Sequence, residues 1–196
     1  MGRAGMGGDA TVPGRGGDGM SPGSFDPLGA LRTFTDHGVR FVLIGGYAGT
    51  MRGSALITGD IDLCYARDPE NLRRLAAALA EMHAHLRGPG VPDDLPFVLD
   101  ATTLRNGDSF TFETDVGNVD VLGTPAGTQG FEDLDVSATS VDVDGLVIRV
   151  ASLDDLMRMK RAAGRPKDLI QLEHLGALRE EIEAFRAQGL DPQQGT

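Results

Sequence analysis

The chain has 196 residues, 40% hydrophobic and 24% charged, with a formal net charge of −11. That length suits one well-buried core, and no apolar run nears the roughly 20 residues that span a bilayer, so neither a membrane role nor a secretory signal is expected. The acidic balance argues against nonspecific nucleic-acid binding unless a basic patch or bound cations intervene, and the single Cys64 excludes an internal disulfide and points to the cytoplasm.

Residues 1–24 are Gly-rich and poor in large apolar side chains, which predicts a disordered leader. Asp26-Pro27 is a cap followed by a first-turn proline, and Leu28, Leu31 and Phe34 recur at helical spacing up to Gly38. Val39 to Ile44 reads as a buried strand. After Gly45-Gly46 a short helix is expected over Tyr47 to Met51, then a strand from Asp60 to Ala66. Asp68-Pro69 opens an amphipathic helix (Leu72, Leu75, Ala76, Leu79, Met82) running to about His85. Gly88 to Pro96 is a Pro/Gly loop.

Strands are then predicted at Phe97–Leu99, Ser109–Thr114 and Asn118–Leu122, and Asp144-Gly145 joins Val141–Val143 to Leu146–Val150 as a hairpin. Ser152 caps a helix to about Ala163, and Arg165-Pro166 starts another to about Ala187. The order predicts an α/β (or α+β) fold: a mixed sheet flanked by helices, with a small C-terminal helical segment. The expected organisation is a leader over 1–24, a core over 25–151, helices completing the site over 152–187, and a flexible tail over 188–196.

Two segments carry chemistry. A strand ending in Gly45-Gly46 lets backbone approach a ligand closely, and a helix starting there directs N–H groups at a phosphate. Asp60 and Asp62, two apart on a strand, project from one face while Ile61 and Leu63 face the core. Paired hard carboxylates suit Mg²⁺, or Mn²⁺ in its place, holding a triphosphate. Thr58 and Arg52 are candidates for phosphate contact.

In the C-terminal part, Leu153, Leu156, Met157 and Lys160 fall on one helical stripe, so Lys160 can pack its stem inward and emerge at the site's edge. The run Lys160 to Asp168 concentrates basic residues, Arg165 and Lys167 among them, in an otherwise acidic chain.

Gly45-Gly46 with Asp60-Ile61-Asp62 resembles the signature of the polymerase-β-type nucleotidyltransferases. That resemblance implies a third carboxylate from a later strand: Asp120 is the best match, with Asp100 and Asp115 as competitors. Lys160 with Arg165-Pro166-Lys167-Asp168 is similar to an element of the AbiEii-like (MenT-type) nucleotidyltransferase toxins of bacterial toxin–antitoxin systems. The resemblance spans roughly residues 39–175. It implies Mg²⁺ on Asp60, Asp62 and the third carboxylate, an NTP co-substrate held by Gly45, Gly46 and Lys160, and Asp168 as a further functional carboxylate. Arg165 and Lys167 would hold phosphate or RNA. It further implies transfer to the 3′ end of tRNA and a cognate antitoxin. A small cationic acceptor such as an aminoglycoside and an inactive binding module are the alternatives.

Overall fold

The computed structural model describes residues 25–88, Pro92 and 97–188; the expected leader, tail residues 189–196 and most of the Pro/Gly loop lie outside the described residues. Helices begin where the sequence carries caps. Asp26 accepts from the Gly29 N–H at 2.9 Å to start α1 (Pro27–Asp36), and Asp68 accepts from the Asn71 N–H at 3.0 Å to start α3 (Pro69–Glu81), after β1 (Phe41–Ile44), α2 (Gly45–Met51) and β2 (Asp60–Tyr65).

β3 (His85–Leu86), α4 (Ala101–Asn106), β4 (Ser109–Thr114), β5 (Gly117–Leu122), α5 (Phe131–Ser137), β6 (Thr139–Val143) and β7 (Leu146–Val150) follow. Asp144 and Gly145 both adopt positive φ in the β6–β7 hairpin. Ser152, accepting from the Asp155 N–H at 3.1 Å, caps α6 (Leu153–Ala163), and α7 (Pro166–Ala187) ends the described chain.

The seven strands form one mixed sheet in the order β3-β4-β5-β2-β1-β7-β6. β2 runs parallel to β5, antiparallel to β1, and β1 runs parallel to β7. Along β2 and β5, Ile61, Leu63, Val119 and Val121 are fully buried on the core face, each contributing about 1.5–3 kcal/mol by leaving water. Strand alternation therefore puts Asp60, Asp62, Asn118 and Asp120 on the opposite face. Leu156, Met157, Met159 and Leu175 of the last two helices belong to the same core. No described helix is long and apolar enough to cross a membrane.

Several expectations need correction. α2 starts at Gly45, not Tyr47, because the first glycine takes a left-handed φ of 68° and turns the chain into the helix at once. α3 stops at Glu81, since His83 takes a φ of 50° and reverses the chain into β3. Phe97–Leu99 is not a strand; the edge of β4 is occupied by His85 and Leu86 instead. The short helices α4 and α5 were not expected, and α5 has no side-chain cap that would mark it.

Candidate active site

Gly45 and Gly46 are dictated by what stands above them. A Cβ on Gly45 would fall inside the van der Waals radius of the Asp62 carboxylate, and one on Gly46 would lie 2.7 Å from Thr58 Oγ1. The Gly46 N–H hydrogen-bonds Asp62. The glycine pair is thus the floor on which Asp62 and Thr58 sit.

Register pairs Asp62 with Asp120 and Asp60 with Asn118 across β2 and β5. One strand further, Thr111 stands opposite Asp120 and Glu113 opposite Asn118. The outer face of the sheet is consequently a polar grid. Burial, then the charges of Asp60 and Asp120, push the Asp62 carboxyl up to about 6, against Lys160 and the Gly46 N–H. Burial and the Asp60 charge also raise Asp120, opposed by a hydrogen bond from Thr111 and by the charges of Arg87 and Lys167.

Of the three candidates for the third carboxylate, the structure brings Asp120 beside Asp62. Asp100 caps α4, accepting from the Thr103 N–H at 2.7 Å, and Asp115 pairs with His83 at 2.5 Å. Asp60 is turned towards Thr58, whose hydroxyl donates to Asp60 Oδ1. Among the described residues no group of three or more carboxylate, histidine or cysteine side chains is placed to hold a metal ion. Even so, adjacent hard oxygen donors whose mutual repulsion raises Asp62 fit a divalent cation that keeps several waters.

Lys160 and Arg165 meet on Asp168, which is fully buried. Lys160 Nζ lies 3.3 Å from Asp168 Oδ1, and Arg165 donates from Nε at 2.6 Å and from Nη2 at 3.2 Å. Burial pushes Asp168 upward, but the Arg165 hydrogen bonds and the Lys160 charge outweigh it and hold the carboxyl below its usual value. Asp168 is therefore placed behind the two cations as their anchor. Lys167 is exposed and close enough to Asp120 to lower its pKa.

Arg52 is committed elsewhere. Its Nε and Nη2 donate to the carbonyl oxygens of Ala151 and Val150 at 2.9 and 2.6 Å, tying the end of α2 to the β7–α6 junction. The Cys64 thiol is buried, which raises it to about 12. Arg87 and Thr111 are the site residues that sequence reasoning missed. Thr111 had a signal, since pairing Ser109–Thr114 against Asn118–Leu122 sets it opposite Asp120; Arg87 had none.

Two cavities flank the carboxylates. One, of about 310 Å³, runs from Gly45, Asp62, Lys160 and Arg165 to an apolar end between Pro125 and the Leu156–Met159 face of α6. The other, of about 250 Å³, opens at Gly59, Gly117 and Asn118.

The sequence matches no family model and no curated protein. Its structure is similar to that of the lincosamide antibiotic adenylyltransferase LnuA in its lincomycin-bound form, with a TM-score of 0.52 and 12% identity over 77% of this chain and 94% of that one. A looser likeness links it to ANT(2″)-Ia in complex with adenylyl-2″-tobramycin, with a TM-score of 0.48 and 17% identity over 81% of this chain and 91% of that one. The first likeness establishes the fold, an α/β fold built on a mixed sheet flanked by helices and shared with that adenylyltransferase.

Proposed function

We propose that this protein is a metal-dependent nucleotidyltransferase that moves NMP from an NTP to a hydroxyl group, with residues 25–151 as its catalytic core and 152–187 completing the site. The observation that carries the reading is the gathering of Asp60, Asp62 and Asp120 on one sheet face, over Gly45-Gly46 and beside an anchored Lys160.

Asp60, Asp62 and Asp120 would hold Mg²⁺ or Mn²⁺, which when bound neutralises triphosphate charge. Gly45 and Gly46 bring backbone against the phosphates, and Thr58 offers a hydroxyl at the same point. Lys160 offsets charge on the triphosphate, and Asp168 fixes where that ammonium stands. The acceptor oxygen attacks the α-phosphorus and its proton passes to the Asp120 carboxylate, which stands beside Asp62 in register. A new oxygen–phosphorus bond forms, the bond to the β-phosphate oxygen breaks, and pyrophosphate leaves.

The acceptor in this reading is the 3′ end of tRNA, by the resemblance to the toxin branch. Arg87 and Lys167, whose charges reach Asp120, favour a polyanion over a cationic aminoglycoside. The protein then blocks aminoacylation, arrests growth, and is neutralised by a cognate antitoxin.

Incubation of the full chain with Mg²⁺, total RNA and each labelled NTP in turn should place label on tRNA. Asp60→Ala should remove at least about 10³-fold of the rate while the chain remains folded, with no fall in metal-free melting temperature at pH 7. Label on a small hydroxyl compound alone would replace the acceptor, and no Mg²⁺-dependent NTP consumption would leave only a binding module.

A further inference from the structure

The two cavities lie on opposite sides of the carboxylates along β2 and β5. Gly59 and Gly117 precede Asp60 and Asn118, whereas Leu122 lies beyond Asp120 and lines the cavity that holds Lys160 and Arg165. An in-line displacement needs the attacking hydroxyl and the departing pyrophosphate on opposite sides of the phosphorus. With the triphosphate cations gathered at the second cavity, the first is left for the attacking molecule.

We propose that the cavity at Phe25, Gly59, Arg87 and Asn118 is the acceptor subsite, and that it takes the 3′-terminal nucleotide of a single-stranded RNA. This rests on the nucleotidyltransferase reading. Phe25 is held against the β4–β5 turn by the hydrogen bond from the Asp26 N–H to the Val116 carbonyl, 2.9 Å, and its ring meets Tyr47 edge-on at 6.3 Å. A base stacks on such a ring face whatever its identity. The exposed Arg87 lines the cavity and its charge reaches Asp120, and its guanidinium is suited to a nucleotide's phosphate. The Asn118 amide, beside Asp60 in register, is placed to hydrogen-bond a ribose hydroxyl. The Thr114 hydroxyl is already used on the Gly117 carbonyl at 2.7 Å, and the Glu113 carboxylate, which also lines the cavity, opposes a phosphate placed next to it. The 3′-oxygen then faces Asp120, to which its proton goes as its bond to the α-phosphorus forms.

Gly59 makes the proposal testable, because it lines the cavity and a Cβ there meets nothing within 4 Å. Gly59→Leu extends an apolar side chain from that open position, and Arg87→Ala removes an exposed cation. With Mg²⁺ present, each should weaken binding of a short labelled RNA bearing a free 3′-hydroxyl by about tenfold, while Mg²⁺-dependent NTP affinity stays within about twofold and the melting temperature within a degree or so. Unchanged RNA binding in both variants, or no RNA binding by the native chain, overturns the assignment. A parallel fall in NTP affinity gives the cavity to the NTP instead. Gly59-sensitive binding of a cationic aminoglycoside rather than RNA overturns the acceptor class. If the native chain binds no NTP yet holds RNA in a Gly59-dependent way, the nucleotidyltransferase reading fails and the acceptor role with it, leaving the cavity as an RNA-binding site.

Discussion

Asp62 sits where its own charge is opposed, half-buried between two other carboxylates. Because its pKa is raised from 3.8 to about 6, the folded chain holds this proton more tightly than the unfolded chain does. Its stability contribution is full below about pH 4 and is lost as pH rises through 6, amounting to about 2–3 kcal/mol by pH 7. Metal-free protein should therefore melt lower at pH 7 than at pH 5, and Mg²⁺ should restore more stability at pH 7. Asp62→Asn should raise the metal-free melting temperature at pH 7, flatten that pH dependence and abolish transfer. A variant that melts lower than native at pH 7 without Mg²⁺ would refute burial and carboxylate repulsion as the origin of the shift. The need for glycine at 45 has the same source: Asp62 occupies the space a side chain would take, at a φ of 68° that disfavours one.

At the scale of elements, the site is a junction held by capping and cross-links. Arg52 joins α2 to the β7–α6 corner, so the glycine floor and Lys160 keep a fixed spacing. Arg52→Ala should cost about 2–3 kcal/mol in denaturant unfolding and raise the KM for NTP more than it lowers kcat; an unaltered KM would reduce Arg52 to a stability role. Sequence made much of this legible. The caps at Asp26, Asp68 and Ser152 and the Asp-Gly hairpin are local signals, and local signals survive folding. The outward row of Asp60 and Asp62 followed from strand alternation alone. What was illegible depends on contacts distant in sequence. Arg52 reads as a surface arginine until β7 arrives 98 residues later. Asp120 is already the best sequence match for the third carboxylate, but its place beside Asp62 follows only from the parallel pairing of β2 with β5. Asp168 carries the same lesson, since its burial beneath Lys160 and Arg165 depends on how α7 returns to α6.

Across the whole molecule, a net charge of −11 and an RNA acceptor are compatible only if few cations meet the phosphates. Arg87, Arg165 and Lys167 are the cations nearest the carboxylates apart from Lys160. With Arg165 facing the triphosphate, Arg87 and Lys167 remain for the RNA, so the salt dependence of RNA binding should be shallow, a log–log slope of about −1.4 for two single-strand phosphate contacts. A steep slope in a titration between low and physiological salt would mean that a larger basic surface engages the RNA.

The turn between α6 and α7 is a single left-handed Gly164, with a φ of 62°, followed at once by Arg165. One inserted residue there would rotate α7 by about 100° about its axis and carry Asp168 away from both its partners. Surface connections ordinarily drift in length among related chains, but this one is metrically locked. Its length, more than its composition, is the trait by which descendants of this architecture that keep the paired cations can be told from those that have lost them.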